Sequence, residues 1–251
     1  MAPATVLRFA LLLVRPGLLV MTTPFLGGTY APTTARMGLS VLIALILSPL
    51  VTAPVDVTTG SLVYIVGREV LIGLALSMGV RLLIFATEAA GQLLGYQLGL
   101  SYGSIVDPQS GVRNSVLSAL YSNLAVILAL AGGAHHAILR ALTASYTALP
   151  IGLGAVDASL VPATARMLGF VLVLALRIAA PVIVVLLSTE VLLGLMARIA
   201  PAFNVMVVGA PARLVVGLLV VAATLVSLPP LVARYTPVTL DLAAQTARVF
   251  R

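Results

Sequence analysis

Long apolar runs fill most of this chain, and short clusters of proline, glycine and threonine separate them. Where such a run reaches about 20 residues it is long enough to cross a bilayer as a helix. The first run covers residues 5–21 and breaks in 22–34, where Pro24, Gly27, Gly28 and Pro32 disfavour helix. A second covers 37–51 and ends at Pro49 and Pro54. The third, 62–85, carries Arg68, Glu69 and Arg81 within it, and a weakly apolar fourth, 88–103, is rich in Gly, Gln and Tyr. A polar loop, 104–114, follows. The fifth run, 115–131, bears Ser115, Ser118, Ser122 and Asn123, which suits protein contact better than lipid contact.

Residues 134–149 read as a shorter amphipathic helix closed by Pro150. The sixth apolar stretch, 164–200, exceeds one span, and Pro181 near its middle is expected to kink it or divide it in two. After a turn-rich segment, 201–211, the last span runs over 214–228 and is expected to stop at Pro229-Pro230. The tail, 234–251, is polar enough to leave the hydrocarbon. Arg8 ahead of a short apolar run suggests a signal peptide, but Arg15 and Pro16 interrupt the run and no small-x-small site follows, so the segment reads as a retained first helix.

Composition sharpens this picture. Hydrophobic residues make up 61% of the chain and charged residues 8%. Soluble domains carry about a quarter charged residues, so lipid or protein partners must cover this surface. The expectation is an all-α integral membrane protein, residues 1–251 forming one membrane-embedded helical domain with no separate soluble part. The fourteen arginines, with no lysine, exceed the four Asp and three Glu. They are scattered singly and not in basic runs with interleaved aromatics, so nucleic acid is not an expected partner. With no cysteine there is no disulfide or thiolate site. His135 and His136 point about 100° apart on a helix with no third ligand at metal spacing. No hydrolase, nucleotide-binding or dinucleotide-binding motif is present, so neither enzymatic chemistry nor a cofactor is expected.

Two features stand out. Gly91, Gly95, Gly99 and Gly103 recur every fourth residue. On one helix they would form a stripe about 18 Å long against which a second backbone could pack. Arg68 and Glu69 in the third run, and Glu190 in the sixth, are charges inside apolar helix, where each costs about 2.5 to 3.5 kcal/mol unless it faces protein or water. Adjacent helical residues diverge, so Arg68 and Glu69 cannot satisfy each other along one face, and partners on other helices or chains are expected.

The order of the punctuating residues is more specific than any one of them. Pro24-Phe25-Leu26-Gly27 with Pro32 and Arg36 come first, then Gly67-Arg68-Glu69 with Gly73, Gly91 through Gln97-Leu98-Gly99, and Asp107-Pro108-Gln109-Ser110-Gly111. Gly133 with His135, Leu149-Pro150, Pro181, Gly194 through Arg198, Pro201, Asn204, Gly209 and Pro211 complete the series. It resembles the FliR/SctT family, the export-gate membrane proteins of type III secretion, over roughly 21–217. The Asp107 to Gly111 run favours the flagellar branch. The resemblance implies kinked helical hairpins in a hetero-oligomeric export gate of the bacterial inner membrane at the flagellar basal body. FliP-like and FliQ-like subunits would join it in forming the entrance channel for unfolded export substrates, with FlhB and FlhA as further partners. It also implies that the loop 101–114, with Ile105, Val106, Asp107, Pro108, Gln109, Ser110 and Gly111 at its centre, plugs the pore at rest. The rival reading is a proton-coupled secondary transporter using Glu69 and Glu190, for which inverted repeats would be the support.

Overall fold

The computed structural model describes residues 3–26, 31–51, 59–101, 115–152, 159–200 and 205–250. Eight α-helices and no strand occur among them: α1 (Pro3–Thr22), α2 (Thr33–Leu47), α3 (Thr59–Gln97), α4 (Val116–Ala131), α5 (Ala134–Ala148), α6 (Leu160–Ile199), α7 (Val205–Leu225) and α8 (Leu228–Ala247). A 3₁₀ turn, Arg248–Phe250, follows α8. The chain is thus an all-α membrane protein. Four helices are long and apolar enough to cross a bilayer, or five spans if α4 and α5, bent by 69° at Gly132-Gly133, count as one. At that break Gly133 takes φ 75°, a left-handed conformation that costs glycine little.

Two boundaries differ from those the hydropathy pattern predicts, and at Pro181 one of the two expected outcomes, division, does not occur. The third and fourth runs are a single helix of 39 residues, α3, because the dip in hydropathy at Thr87-Glu88 breaks no backbone hydrogen bond: Thr87 Oγ1 donates to the Ile84 carbonyl at 2.8 Å within the helix. Pro181 does not divide the sixth run, and the 40 residues of α6 continue through it. Proline removes one rung of the i to i−4 ladder, and the long apolar stretches on either side keep the rest. Pro229-Pro230 do not terminate α7. They occupy the first turn of α8, where a missing N–H leaves nothing unsatisfied.

The chain forms two compact units, the first made of Met1–Leu83, Ala129–Leu168 and Ala233–Arg251, the second of Ile84–Leu128 and Gly169–Val232. In the first, Leu12, Leu19, Ile72, Val80, Ile138 and Leu142 are fully buried. The expected polar tail is part of this core: α8 buries Thr239, Ala243 and Thr246, and a Cβ placed on Gly79 of α3 would lie 3.1 Å from that of Ala243. In the second unit, α6 buries Leu174, Ala179, Val182 and Leu186 on one face. Exposed apolar side chains nevertheless recur along α6, from Val161, 74% exposed, to Ile199, 77% exposed.

Candidate functional site

The first unit is organised around a buried arginine. Arg15 of α1 and Glu69 of α3 are both fully buried. Nε of Arg15 donates to Glu69 Oε2 at 2.6 Å and Nη2 to Oε1 at 3.1 Å, the two-pronged geometry in which guanidinium and carboxylate match best. Its other N–H groups reach α5 and the residue that caps it: Nη1 meets Ser145 Oγ at 3.1 Å and Nη2 the Leu149 carbonyl at 2.7 Å. The guanidinium also lies 4.5 Å from the centroid of the Tyr146 ring, whose hydroxyl donates to the Leu12 carbonyl of α1 at 2.9 Å. Gly73 lets α3 come this close, because a Cβ there would stand 3.3 Å from the Arg15 Cα.

Arg68 belongs to the same cluster. Its Nη2 donates to the Pro150 carbonyl at 3.2 Å, next to the Leu149 carbonyl that Arg15 holds. Two cations from two helices therefore sit at the carboxyl end of a third, where unpaired carbonyls and the helix dipole favour positive charge. The partner of Glu69 lies on another helix, and spacing alone does not name it. In the sequence Arg15 marks only an interruption in an apolar run.

The second unit holds a seam between α3 and α4. A Cβ on Gly91 would lie 2.6 Å from both the Leu117 carbonyl oxygen and the Ser118 Cα. One on Gly95 would lie 2.6 Å from the Ser115 Cβ and 2.7 Å from the Ser101 Oγ. Hydrogen bonds line this backbone contact: Ser118 Oγ donates to the Glu88 carbonyl at 3.1 Å, and the Ser115 N–H to Gln92 Oε1 at 3.2 Å. The expected four-glycine stripe is shorter than its spacing suggests. The helix ends at Gln97, and Gly99 adopts φ 78° to turn the chain, so it does not continue the helical ridge. Gly103 and the loop residues Ile105, Val106, Asp107, Pro108, Gln109, Ser110 and Gly111 lie outside the described residues.

Glu190 of α6 pairs with Arg213 of α7 at 3.0 Å, each side chain more than a third exposed. It is half-exposed among apolar neighbours, whereas Glu69 is sealed within the protein. Tyr121 and Thr224 share a hydrogen bond of 3.2 Å elsewhere in this unit, tying α4 to α7.

This helical architecture has known relatives. The model of bacterial export proteins, family 1, matches residues 6–237. The flagellar biosynthetic protein FliR of Pectobacterium carotovorum subsp. carotovorum is 31% identical over 229 residues, 90% of this chain and 87% of the relative. That of Caulobacter vibrioides is 33% identical over 225 residues, 86% and 87% of the two chains. The Yop proteins translocation protein T of Yersinia pestis is 27% identical over 198 residues, covering 77% and 74%. With a family match over nearly its whole length, this chain belongs to bacterial export proteins, family 1, the FliR/SctT membrane proteins of flagellar and type III export.

Proposed function

We propose that the chain is a non-catalytic subunit of the flagellar type III export gate in the bacterial inner membrane, forming with FliP-like and FliQ-like subunits the entrance channel for unfolded substrates. FlhB and FlhA are its further partners. The observation that carries this reading is the mismatch between helix length and bilayer thickness. At 1.5 Å per residue α3 is about 58 Å long and α6 about 60 Å, roughly twice the 30 Å hydrocarbon core. Yet α6 exposes apolar side chains along its full length. Lipid tails cannot cover both halves of so long a helix standing across the membrane, so neighbouring protein subunits must cover the remainder. The half-exposed Glu190–Arg213 pair fits the same reading, since a charge pair turned to lipid is costly and one turned to protein or an aqueous lumen is not.

Purification in mild detergent tests the proposal. A stable complex with two other small membrane proteins is the expected result, while a homo-oligomer that drives substrate uptake in liposomes would replace it with the transporter reading. That rival has little from Glu69, since both carboxylate oxygens are engaged by Arg15.

Within the gate, the loop 101–114 is the proposed resting plug. By residue type alone, Pro108 disfavours helix at Asp107, and Gly103 and Gly111 tolerate unusual backbone angles, the composition that a plug would use. Ile105 and Val106 would close a channel by apolar contact and excluded water. Deleting 105–110 should leave the complex assembled and raise resting membrane conductance, normalised to the amount of complex. Conductance unchanged from the unmodified gate would return the loop to a simple connection.

A further inference from the structure

Arg15 and Arg68 hold neighbouring carbonyls at the end of α5, but only Arg15 is satisfied. Every nitrogen of Arg15 has an acceptor. Arg68 is 2% exposed, its Nη2 has one bond of 3.2 Å, and its buried Nε and Nη1 have none among the described residues. Buried donors without acceptors cost about 1 to 3 kcal/mol each, more when charged, so a native structure fills them.

Among the described residues the charges of the cluster do not balance either. Two guanidinium groups face one carboxylate, and the carboxyl end of α5 adds about half a negative charge. Among the described residues of this unit the only other carboxylate is that of Asp241, which accepts from Gln245 at 2.7 Å on the exposed side of α8. Arg15 shows what ligand the free edge suits: its Nε and Nη2 fork takes both oxygens of Glu69. The Nε edge of Arg68, formed by Nε and the second N–H of Nη2, offers the same kind of fork, while Nη1 lies off that edge. The adjoining turn of α3 is open, because a Cβ on Gly67 would meet no atom within 4 Å and Tyr64, one turn earlier, is half-exposed.

We propose that Arg68 anchors a binding site for a carboxylate group, held by its Nε edge and balancing the second buried guanidinium. Two sources outside the described residues can supply the carboxylate: a small free anion or an acidic side chain of another subunit. The site stands on this chain's own residues and does not depend on which partners the chain assembles with. A water molecule would supply an oxygen but no charge, and so would confer no preference among anions.

The test uses formate as the probe. The full chain, purified alone in detergent, is melted in increasing sodium formate and, in parallel, sodium chloride at equal ionic strength. Formate should raise the melting temperature above the chloride value along a saturating curve, by about 3 °C at high occupancy. Arg68→Gln should abolish that excess. Arg68→Lys, which keeps the charge and loses the planar fork, should reduce it, and it carries the comparison if the Gln variant does not accumulate. Repeating the melt on the assembly distinguishes the sources: loss of the excess there assigns the carboxylate to another subunit, and its persistence assigns it to a free anion. Identical curves in formate and chloride for the chain alone, or an excess that survives in the Arg68 variants, would overturn the proposal.

Discussion

Replacing Glu69 by alanine should destabilise the protein by about 3 to 5 kcal/mol, a drop in melting temperature on the order of 10 °C for a chain of this size. The loss comes less from the attraction between Arg15 and Glu69 than from what remains. Arg15 is fully buried and two of its five polar contacts are to Glu69, so the variant leaves a buried cation beside a second one, Arg68, with no carboxylate between them. Glu69→Gln should be milder, because the amide oxygen still accepts from Arg15. The double variant Arg15→Met with Glu69→Leu should recover much of the stability, since apolar residues of similar volume often replace a buried pair at little cost. Melting of the detergent-solubilised protein checks all three. A Glu69→Ala protein that melts with the unsubstituted one would show that the clamp holds nothing together.

The second large effect is expected at Gly91. Even a methyl group there would stand 2.6 Å from the Leu117 carbonyl oxygen, a backbone atom that cannot rotate away, so α3 and α4 must separate. Gly91→Ala should cost about 1 to 3 kcal/mol, the usual penalty for overpacking, and Gly91→Leu should prevent the seam from forming and block incorporation into the complex. Gly38 provides the control. It lies in α2, and a methyl group there would meet no atom within 4 Å, so alanine should raise stability by about 0.5 to 1 kcal/mol through helix propensity alone. Opposite signs for two Gly→Ala changes in helices separate packing from propensity. Equal effects would mean that the glycine seam is not a contact that stability depends on.

The helical class and the apolar segments were legible because hydropathy reports directly on where a chain can meet lipid or core. Boundaries were less so. Thr87-Glu88 reads as a gap in hydropathy but not in the helix, since a polar side chain leaves the backbone ladder of α3 intact. Pro229-Pro230 look alike as the end of one helix or the start of the next, and only the two-residue turn before Leu228 decides between them. Regular spacing told half the story of the glycines: Gly91 and Gly95 lie on the helix, but the same residue type at Gly99 ends it. For the charges, the sequence shows that Glu69 requires a partner, but no spacing rule joins it to a residue 54 positions away.

That separation of 54 residues also sets a clock on synthesis. α1 reaches the membrane before α3 has been made, so Arg15 must wait for its carboxylate. At about 5 to 20 residues per second the wait is roughly 3 to 11 s. Throughout it Arg15 is a lone cation in an apolar helix, a burden of about 2.5 to 3.5 kcal/mol on the insertion scale. α1 therefore carries an insertion cost that nothing in its own sequence offsets, and that cost is relieved only once Glu69 has been made.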